Sequence, residues 1–272
     1  MRIWAIANQK GGVGKTTSVV TLAGLLADQG YDVLVLDLDP HGSLTSYFRY
    51  DPDSLQHSAY DLFQEEGKVD PELPASLLLN TSHDRINLIP ASTAMATLER
   101  KSVGSDGMGL VVAKALAHLW DRFDYVIIDS PPVLGVLMVN ALAACERLLV
   151  PVQTEFLAIK GLERMVRTLT MINRARQKKL EYYILPTFFD RRTQASLQSL
   201  RIIRQTYPDQ IAQAVIPVDT KFRNASSQGV VPTALDPSTH GVRGYQMLMR
   251  WLLEKEKQQA APARARVRDA RP

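Results

Sequence analysis

Short apolar runs alternate with longer mixed stretches along most of the chain. The runs occupy residues 3–7, 33–36, 86–89, 125–128, 147–152, 182–187 and 213–217. Each is apolar at nearly every position, which is typical of a parallel strand buried on both faces. The stretches between the runs predict helices, most clearly at residues 18–28, 110–120 and 157–176. Residues 44–85 instead predict short helical pieces joined by loops.

The alternation of strands and helices predicts the fold class. We expect an α/β fold, a single domain whose mostly parallel, twisted sheet carries helices on both faces and has right-handed crossovers. The sequence contains no visible internal repeat and no second domain. The predicted domain covers residues 1–257. The remaining residues, 258–272, are rich in Ala, Arg and Pro and predict a disordered basic tail.

Composition changes this picture mainly through charge. The chain has 272 residues, of which 46% are apolar and 22% charged, as in an ordinary globular protein. Its formal net charge is +4, and four arginines against one aspartate in the last nine residues supply three of these charges. The high isoelectric point of the sequence is therefore no sign of a basic surface on the folded part.

Cysteine content and hydropathy bear on the compartment. Cys145 is the only cysteine, so an intrachain disulfide is impossible and a reducing cytoplasm is the expected location. The longest mostly apolar run, residues 133–145, is too short to span a bilayer. We interpret the apolar residues at the start of the chain as a strand and not as a signal peptide. A cytoplasmic protein without stable membrane insertion is therefore expected.

A glycine-rich segment lies between the first predicted strand and the first predicted helix. Gly11, Gly12 and Gly14 allow backbone N–H groups to point inward, and the helix dipole adds positive potential there. Lys15 is placed to reach the β- and γ-phosphates of a nucleotide, and the Thr16 hydroxyl is placed to bind Mg²⁺. The segment therefore predicts a nucleotide-phosphate site, with a plain strand–helix turn as the alternative.

Two further predicted strands end in carboxylates. Asp37 and Asp39 follow residues 33–36, and Asp129 follows residues 125–128. The carboxyl ends of parallel strands are where α/β folds bind ligands, so these acids are expected near the glycine-rich segment. A role in capping the following turn is the alternative for each of them.

The glycine-rich segment departs from the strict P-loop pattern. Gln9 stands where that pattern has its first glycine, and Lys10 adds a second lysine inside the loop. Residues 10–16, together with D-x-D-P at 37–40 and D-S-P-P at 129–132, resemble the deviant Walker A ATPases of the ParA/MinD family. The resemblance extends over essentially the whole predicted domain. It implies ATP and Mg²⁺ as cofactors and a homodimer that encloses ATP between its subunits.

The resemblance implies a role for each matched residue. Lys10 acts across the dimer on the partner's phosphates, Lys15 acts within its own chain, and Asp39 orients the attacking water. The implied metal site consists of Thr16, Asp37 and Asp129. The implied nucleotide contacts are Lys10, Gly11, Gly12, Val13, Gly14, Lys15, Thr16 and Thr17, with Pro217, Val218 and Asp219 against adenine. No His or Glu is placed as an obvious strong general base, so slow hydrolysis is expected.

The resemblance also implies partners. Relatives that move on the nucleoid bind DNA phosphates without sequence preference, and Arg192 and Lys221 match their basic residues, extended by Arg191 and Arg223. Solvated surface arginines are the alternative. An unidentified protein that stimulates hydrolysis is also expected. The implied function is a switch ATPase that positions or segregates DNA, or a protein assembly such as a chemotaxis array, at the nucleoid or the cell pole.

Two other functions compete with this one. A MinD-like, membrane-recruited regulator of division-site or flagellar placement would bind lipid through its last helix, but residues 245–253 are apolar nearly all round and favour a packed helix. An ATP-dependent ligase or amidotransferase partner would need substrate motifs, and none is visible. His41 and Ser43 stand where the family usually has Gln and Asn, and we interpret His41 as a polar loop residue. The opening of the sequence resembles the chemotaxis-associated branch.

Overall fold

The computed structural model describes residues 1–65, 68–101, 107–176 and 178–268, without the side chains of residues 100, 101, 175 and 259–268. The strands of this part are β1 Arg2–Ile6, β2 Val33–Asp37, β3 Leu79–Asn80, β4 Ile86–Ile89, β5 Tyr125–Asp129, β6 Arg147–Gln153 and β7 Glu181–Thr187. They form one sheet in the order β3-β4-β2-β5-β1-β6-β7. Only β3 runs antiparallel among these strands. The predicted single α/β domain with a mostly parallel sheet is therefore confirmed.

Helices cover both faces of the sheet. The α-helices in the described residues are α1 Lys15–Ala27, α2 Ser43–Tyr47, α3 Leu73–Ser76, α4 Leu98–Lys101, α5 Val111–Ala117, α6 Val136–Ala144, α7 Phe156–Ala175, α8 Gln194–Thr206, α9 Lys221–Gln228, α10 Pro232–Leu235 and α11 His240–Arg268. Short 3₁₀ helices cover Ala59–Phe63, Thr93–Thr97 and Met108–Leu110. Among these residues, no helix is both long and apolar enough to cross a membrane.

The sheet separates two apolar cores. Strand β2 contributes Leu34 and Leu36 to the core that contains residues of α5, α6 and α7. It contributes Val33 and Val35 to the core that contains residues of α1 and α11. Successive strand side chains point to opposite faces, so a strand buried on both sides must be apolar throughout. This explains why continuous apolar runs located the parallel strands correctly.

Strand order decides where the acids lie. Strand β5 pairs with β1 on one side and with β2 on the other. In this register Asp129 lies opposite Ile6 and also opposite Asp37. Both carboxylates therefore sit at the carboxyl edge of the sheet, beside the end of the strand that leads into the glycine-rich segment.

Two strand predictions differ from the structure. Strand β3 was not predicted, because two residues at a sheet edge leave almost no periodic signal. The predicted strand at residues 213–217 is wrong, since this segment makes one isolated bridge with the described residues, between Phe189 and Pro217. Pro217 and its neighbour Pro186 in β7 both lack a backbone N–H, so a regular ladder cannot form between the two segments.

The last helix, α11, packs against the sheet, and one of its side chains connects the strands β1, β5 and β6. Glu256 of α11 accepts hydrogen bonds from Trp4 Nε1 at 3.1 Å and from the Tyr125 hydroxyl at 3.1 Å. The same carboxylate pairs with Arg147 at 3.2 Å, and both charged side chains are buried. Helical backbone continues to Arg268, past the predicted domain boundary at residue 257, and residues 269–272 of the predicted tail lie outside the described residues. The disordered tail stays a prediction.

Candidate functional site

The glycine-rich segment forms an open loop between β1 and α1. Gly12 and Gly14 have φ values of +71° and +90°, a region that side chains with a Cβ rarely adopt. Gly14 is the N-cap of α1, so the unpaired N–H groups of the first helical turn begin directly after it. A Cβ built on Gly11 or Gly12 would meet no atom within 4 Å. The loop therefore presents backbone donors to open space at a helix N-terminus, which is the geometry that binds phosphate.

Side chains from other elements hold the loop in place. Asn8 Nδ2 donates to the Pro151 carbonyl at 2.7 Å, and Asn8 Oδ1 accepts from the Lys10 N–H at 3.0 Å. Thr187 Oγ1 donates to the Val13 carbonyl at 2.9 Å, and the Val13 side chain is fully buried. Val13 thus anchors the loop and its side chain does not face the open space. These bonds fix the loop before any ligand arrives.

The two lysines of the loop have different surroundings. Lys15 is only 8% exposed and lines the cavity described below. Lys10 Nζ bonds Gln153 Oε1 at 3.0 Å and forms an ion pair with Glu155. In this state Lys10 is held by its own chain at the base of α7, so the predicted role across a dimer requires it to leave Glu155. This pairing could not be predicted from the sequence, because Glu155 is distant from Lys10 along the chain.

Two buried carboxylates lie side by side next to the loop. Thr16 Oγ1 donates to Asp129 Oδ2 at 2.6 Å, whereas Asp129 Oδ1 is buried and finds no partner among the described residues. Burial, reinforced by the charge of Asp37, raises the pKa of Asp129 to about 8. Burial likewise raises the pKa of Asp37 to about 6. An unsatisfied buried carboxylate oxygen beside a second acid is a natural place for a cation.

The donor set fits Mg²⁺ better than a cation held by protein alone. No group of three or more His, Cys, Asp or Glu side chains forms a metal cage in the part of the chain that is described. Mg²⁺ typically takes one or two carboxylates and completes its shell with waters and substrate phosphates. Asp129 Oδ1 is the free oxygen here, and the Thr16 hydroxyl, which donates to Asp129 Oδ2, still has oxygen lone pairs to offer a cation. Both Asp37 oxygens are already engaged, by the N–H of Asp39 at 3.0 Å and by Thr45, so Asp37 would act through its charge.

Asp39 stands at the start of the loop that follows β2. Its Oδ1 accepts from the His41 N–H at 3.1 Å and lies 2.9 Å from His41 Nδ1. Asp39, His41 and Ser43 all line the cavity. His41 is an exposed residue of this loop, as expected, and its ring also contacts the acid predicted to orient the water. Its position two residues after that acid, at a departure from the family pattern, was the available signal.

A cavity of about 870 Å³ begins at the phosphate loop and extends toward α9. Ligand sites of this kind usually enclose about 300–1,000 Å³. Pro217, Val218 and Asp219, the predicted adenine contacts, line its far wall. The Asp219 carboxylate is occupied by the Gly241 N–H at 2.8 Å and by the Lys221 N–H at 2.9 Å, so a base would meet mainly backbone here. Three further lining residues, which the sequence did not indicate, are Tyr47, Phe222 and Tyr245.

The predicted DNA-binding residues lie on two neighbouring segments, the loop after β7 and the first turn of α9. The loop with Arg191 and Arg192 is joined to the segment that precedes α9 through the Phe189 N–H, which donates to the Ile216 carbonyl at 3.0 Å. Arg192 forks onto Asp190 at 2.9 and 2.8 Å, and this pairing lowers the pKa of Asp190 to about 2. Part of its charge is thereby compensated. Lys221 and Arg223 are exposed on α9, and Arg223 also lines the cavity.

We expect the Asp129→Asn substitution to separate stability from metal binding. Because the pKa of Asp129 is raised in the folded state, folding near pH 7 without a cation requires this carboxyl to take up a proton, so the neutral amide should leave the metal-free protein at least as stable as the wild type. The metal-free wild type should lose stability as pH rises from about 4, the usual pKa of an unfolded aspartate, to about 8, and the variant should not.

The same variant should lose the stabilisation that Mg²⁺ adds to the nucleotide complex. Thermal melting at pH 5 and pH 8, with and without MgCl₂ and an ATP analogue, measures both effects. Asp121→Asn, on an exposed turn, is the matched control. An Asp129→Asn protein that still gains its full melting shift from MgCl₂ would contradict the assignment of Asp129 to the metal site.

Comparison with known proteins places this site in a family. Residues 1–182 match the AAA domain family. The sporulation initiation inhibitor protein Soj of Bacillus subtilis is 32% identical over 245 residues, which are 90% of this chain and 95% of Soj. The chromosome partitioning protein ParA of Caulobacter vibrioides is 31% identical over 266 residues, 97% of this chain and 98% of that ParA.

A solved structure agrees with the fold and the type of site. Cobyrinic acid a,c-diamide synthase from Mycobacterium smegmatis, with bound ATP analog and magnesium, superposes with a TM-score of 0.80 at 33% sequence identity. The match covers 94% of this chain and 96% of that one. The predicted resemblance is confirmed: the chain belongs to the ParA/MinD family of deviant Walker A ATPases, and the part that matches the AAA domain family carries the phosphate loop and the paired acids described above.

Proposed function

We propose that the chain is an ATP-dependent switch ATPase that positions or segregates a cellular cargo. The observation that carries this proposal is the convergence of Lys15, Asp39 and the loop glycines on one cavity, in a chain similar along nearly its whole length to Soj and ParA. ATP binding assembles a homodimer, and slow hydrolysis returns it to monomers. The cofactors are ATP and Mg²⁺.

Each residue of the site has a part in this cycle. The N–H groups of the loop and the Lys15 ammonium hold the β- and γ-phosphates, as phosphoryl transfer is catalysed mostly by positioning and charge. Thr16 and Asp129 hold Mg²⁺, which offsets phosphate charge when bound. Asp39 accepts a hydrogen bond from the attacking water and orients it. Turnover is weak until a partner protein improves this arrangement.

The base end of the cavity favours adenine over guanine. GTPases of related fold read guanine with an Asn- or Thr-Lys-x-Asp motif, and the nearest sequence here is residues 220–223, which ends in Arg223. The wall at Pro217 and Val218 offers backbone groups and apolar surface, with Phe222 beside it. A flat purine with few specific contacts is what such a wall accepts.

The dimer and the DNA surface belong to the same proposal. Exposed apolar side chains, Val133 and Leu134 after β5 and Phe156 and Leu157 at the start of α7, are candidates for burial between two subunits. Lys10 would exchange Glu155 for the partner's phosphates when the subunits meet. Basic residues on the loop after β7 and on the first turn of α9 would then bind DNA phosphates without reading bases.

The cargo is chromosomal or plasmid DNA or a protein assembly such as a chemotaxis array, and the protein works in the cytoplasm at the nucleoid or the cell pole. The membrane-recruited alternative loses support at residues 245–253, because Tyr245, Leu248, Met249 and Leu252 are buried in the core that α11 shares with the sheet. A synthase-like reaction, as in the Mycobacterium smegmatis enzyme's name, predicts ATP turnover only with an acid substrate present. Turnover by the protein alone argues against it.

The decisive experiment uses the Asp39→Ala variant. We expect it to bind ATP as the wild type does but to hydrolyse it at least about 100-fold more slowly, because the water loses its orienting carboxylate. The variant should accumulate as an ATP dimer that binds DNA with ATP and not with ADP. Affinity should fall steeply with salt, since phosphate contacts release counterions. Fluorescence anisotropy with labelled duplex DNA across a salt series measures this.

Charge reversals serve as the controls. Arg192→Glu and Lys221→Glu in the Asp39→Ala background should abolish DNA binding and leave ATP binding intact. Glu163→Lys, on an exposed face of α7, is a matched charge change outside the loop after β7 and outside α9. A trapped dimer that ignores DNA at low salt rules out DNA as the matrix, and anionic liposomes would then be tested.

A further inference from the structure

The turn that follows Asp39 fixes the backbone of His41. The Gly42 N–H donates to the Asp39 carbonyl at 2.8 Å, which closes the turn. Pro40 restricts its own φ, and Gly42 has a φ of +59°. A Cβ on Gly42 would lie 2.2 Å from Pro52 Cγ, so the turn is also pressed against the following loop. The position of His41 relative to Asp39 is therefore set by the backbone.

Within this turn both His41 donors are directed to one oxygen. Asp39 Oδ1 receives the His41 N–H at 3.1 Å and lies 2.9 Å from His41 Nδ1. An ionised carboxylate only accepts, so the proton of the neutral ring is assigned to Nδ1. The Asp39 side chain is 13% exposed and the His41 side chain 81%, so the ring covers the carboxylate from the solvent side.

This arrangement restricts rotation of the Asp39 carboxylate. Asp39 Oδ1 is held by two donors of the same residue. Asp39 Oδ2, in contrast, has no hydrogen-bond partner among the described residues. Asp39 lines the same cavity as Lys15 and Thr16. The free oxygen is thus available to a water at the phosphate end, and the orientation of the carboxylate does not depend on the water itself.

We propose that His41 is a positioning residue for ATP hydrolysis, which holds Asp39 Oδ1 through its Nδ1–H and leaves Oδ2 for the attacking water. This inference rests on the proposed ATPase function of the site. It assigns a role at the position where this chain departs from the family's usual Gln. It also separates His41 from nucleotide affinity, since holding Asp39 affects the water and not the bound phosphates.

Two substitutions distinguish positioning from simple packing. His41→Asn keeps an N–H donor near the place of Nδ1, whereas His41→Leu keeps bulk and removes the donor. We expect kcat for ATP hydrolysis to fall about tenfold or more in His41→Leu, the loss of one hydrogen bond to a charged group. His41→Asn should stay within about threefold of wild type. ATP affinity and melting temperature should change little in both, because the ring is exposed.

A double-mutant cycle with Asp39→Ala completes the test. If His41 acts through Asp39, then His41→Leu should have no further effect on kcat once Asp39 is alanine. Equal losses in His41→Leu and His41→Asn, an unchanged kcat in His41→Leu, or a full effect in the Asp39→Ala background would each overturn the proposal. Failure of the proposed function looks different: the wild type would not hydrolyse ATP, or Asp39→Ala would hydrolyse it normally.

Discussion

The Lys15→Ala variant should lose at least about 30-fold in ATP affinity. The Lys15 ammonium is nearly buried at the phosphate end of the cavity, where water screens charge poorly. Removing one partner of a desolvated, hydrogen-bonded charge pair costs about 2–5 kcal/mol, which corresponds to roughly 30-fold to several-thousand-fold in affinity. Titration of a fluorescent ATP analogue into the metal-loaded protein measures the loss directly.

Lys10→Ala is the matched control, because it removes a lysine from the same loop. Lys10 is bound to Gln153 and Glu155 and does not line the cavity. Its removal should leave monomer affinity within about threefold and act on dimer-dependent hydrolysis instead. Equal losses in both variants would show that Lys10 already reaches the phosphates of its own subunit. A Lys15→Ala protein with wild-type affinity would remove Lys15 from the site.

The Glu256→Ala variant should be destabilised by about 3–5 kcal/mol. The substitution removes the nearer and more buried of the two carboxylates that pair with Arg147, since Glu181 lies at 4.0 Å, and deprives Trp4 Nε1 and the Tyr125 hydroxyl of their acceptor. Such losses are larger than those from ordinary surface substitutions, because the buried Arg147 guanidinium loses its nearer counter-charge without gaining water in its place. Urea unfolding followed by tryptophan fluorescence gives the free energy, since Trp4 reports on this cluster.

Glu163→Ala tests whether the effect comes from burial. Glu163 also forms an ion pair, with Lys160 at 3.0 Å, but both side chains are exposed. Exposed pairs contribute about 0–1 kcal/mol, so the control should unfold close to wild type. If both variants lost the same stability, or if Glu256→Ala lost less than about 1 kcal/mol, the cluster would not be the tie between α11 and the sheet.

Local sequence was enough for most of the sheet and for the chemical end of the site. Apolar runs located β1, β2 and β4 to β7, because strands buried on both faces need no alternation. The phosphate loop and the acids at the strand ends follow from residues close together in the chain. The short β3 had too few residues to produce a pattern, and Pro217 broke a strand that its apolar neighbours suggested.

The rest of the site depends on contacts that the sequence does not encode locally. Tyr47, Phe222 and Tyr245 meet at one cavity from three different helices. The ion pair between Lys10 and Glu155 also depends on how β6 lies beside β1. Contacts of this kind arise only from strand order. His41 is the exception, because its contact with Asp39 joins residues two positions apart within one turn.

The bond between Trp4 and Glu256 joins residues 252 positions apart, and this has a consequence for synthesis. During translation, the Trp4 indole of β1 is synthesised long before its hydrogen-bond acceptor, Glu256 of α11. Until Glu256 leaves the ribosome, Arg147 and the indole of Trp4 lack their common partner, and the sheet face that α11 covers stays open. We therefore expect nascent chains to aggregate most readily before α11 is released, because the apolar sheet face that it covers is then exposed. This face should become buried only once α11 is available to pack on it.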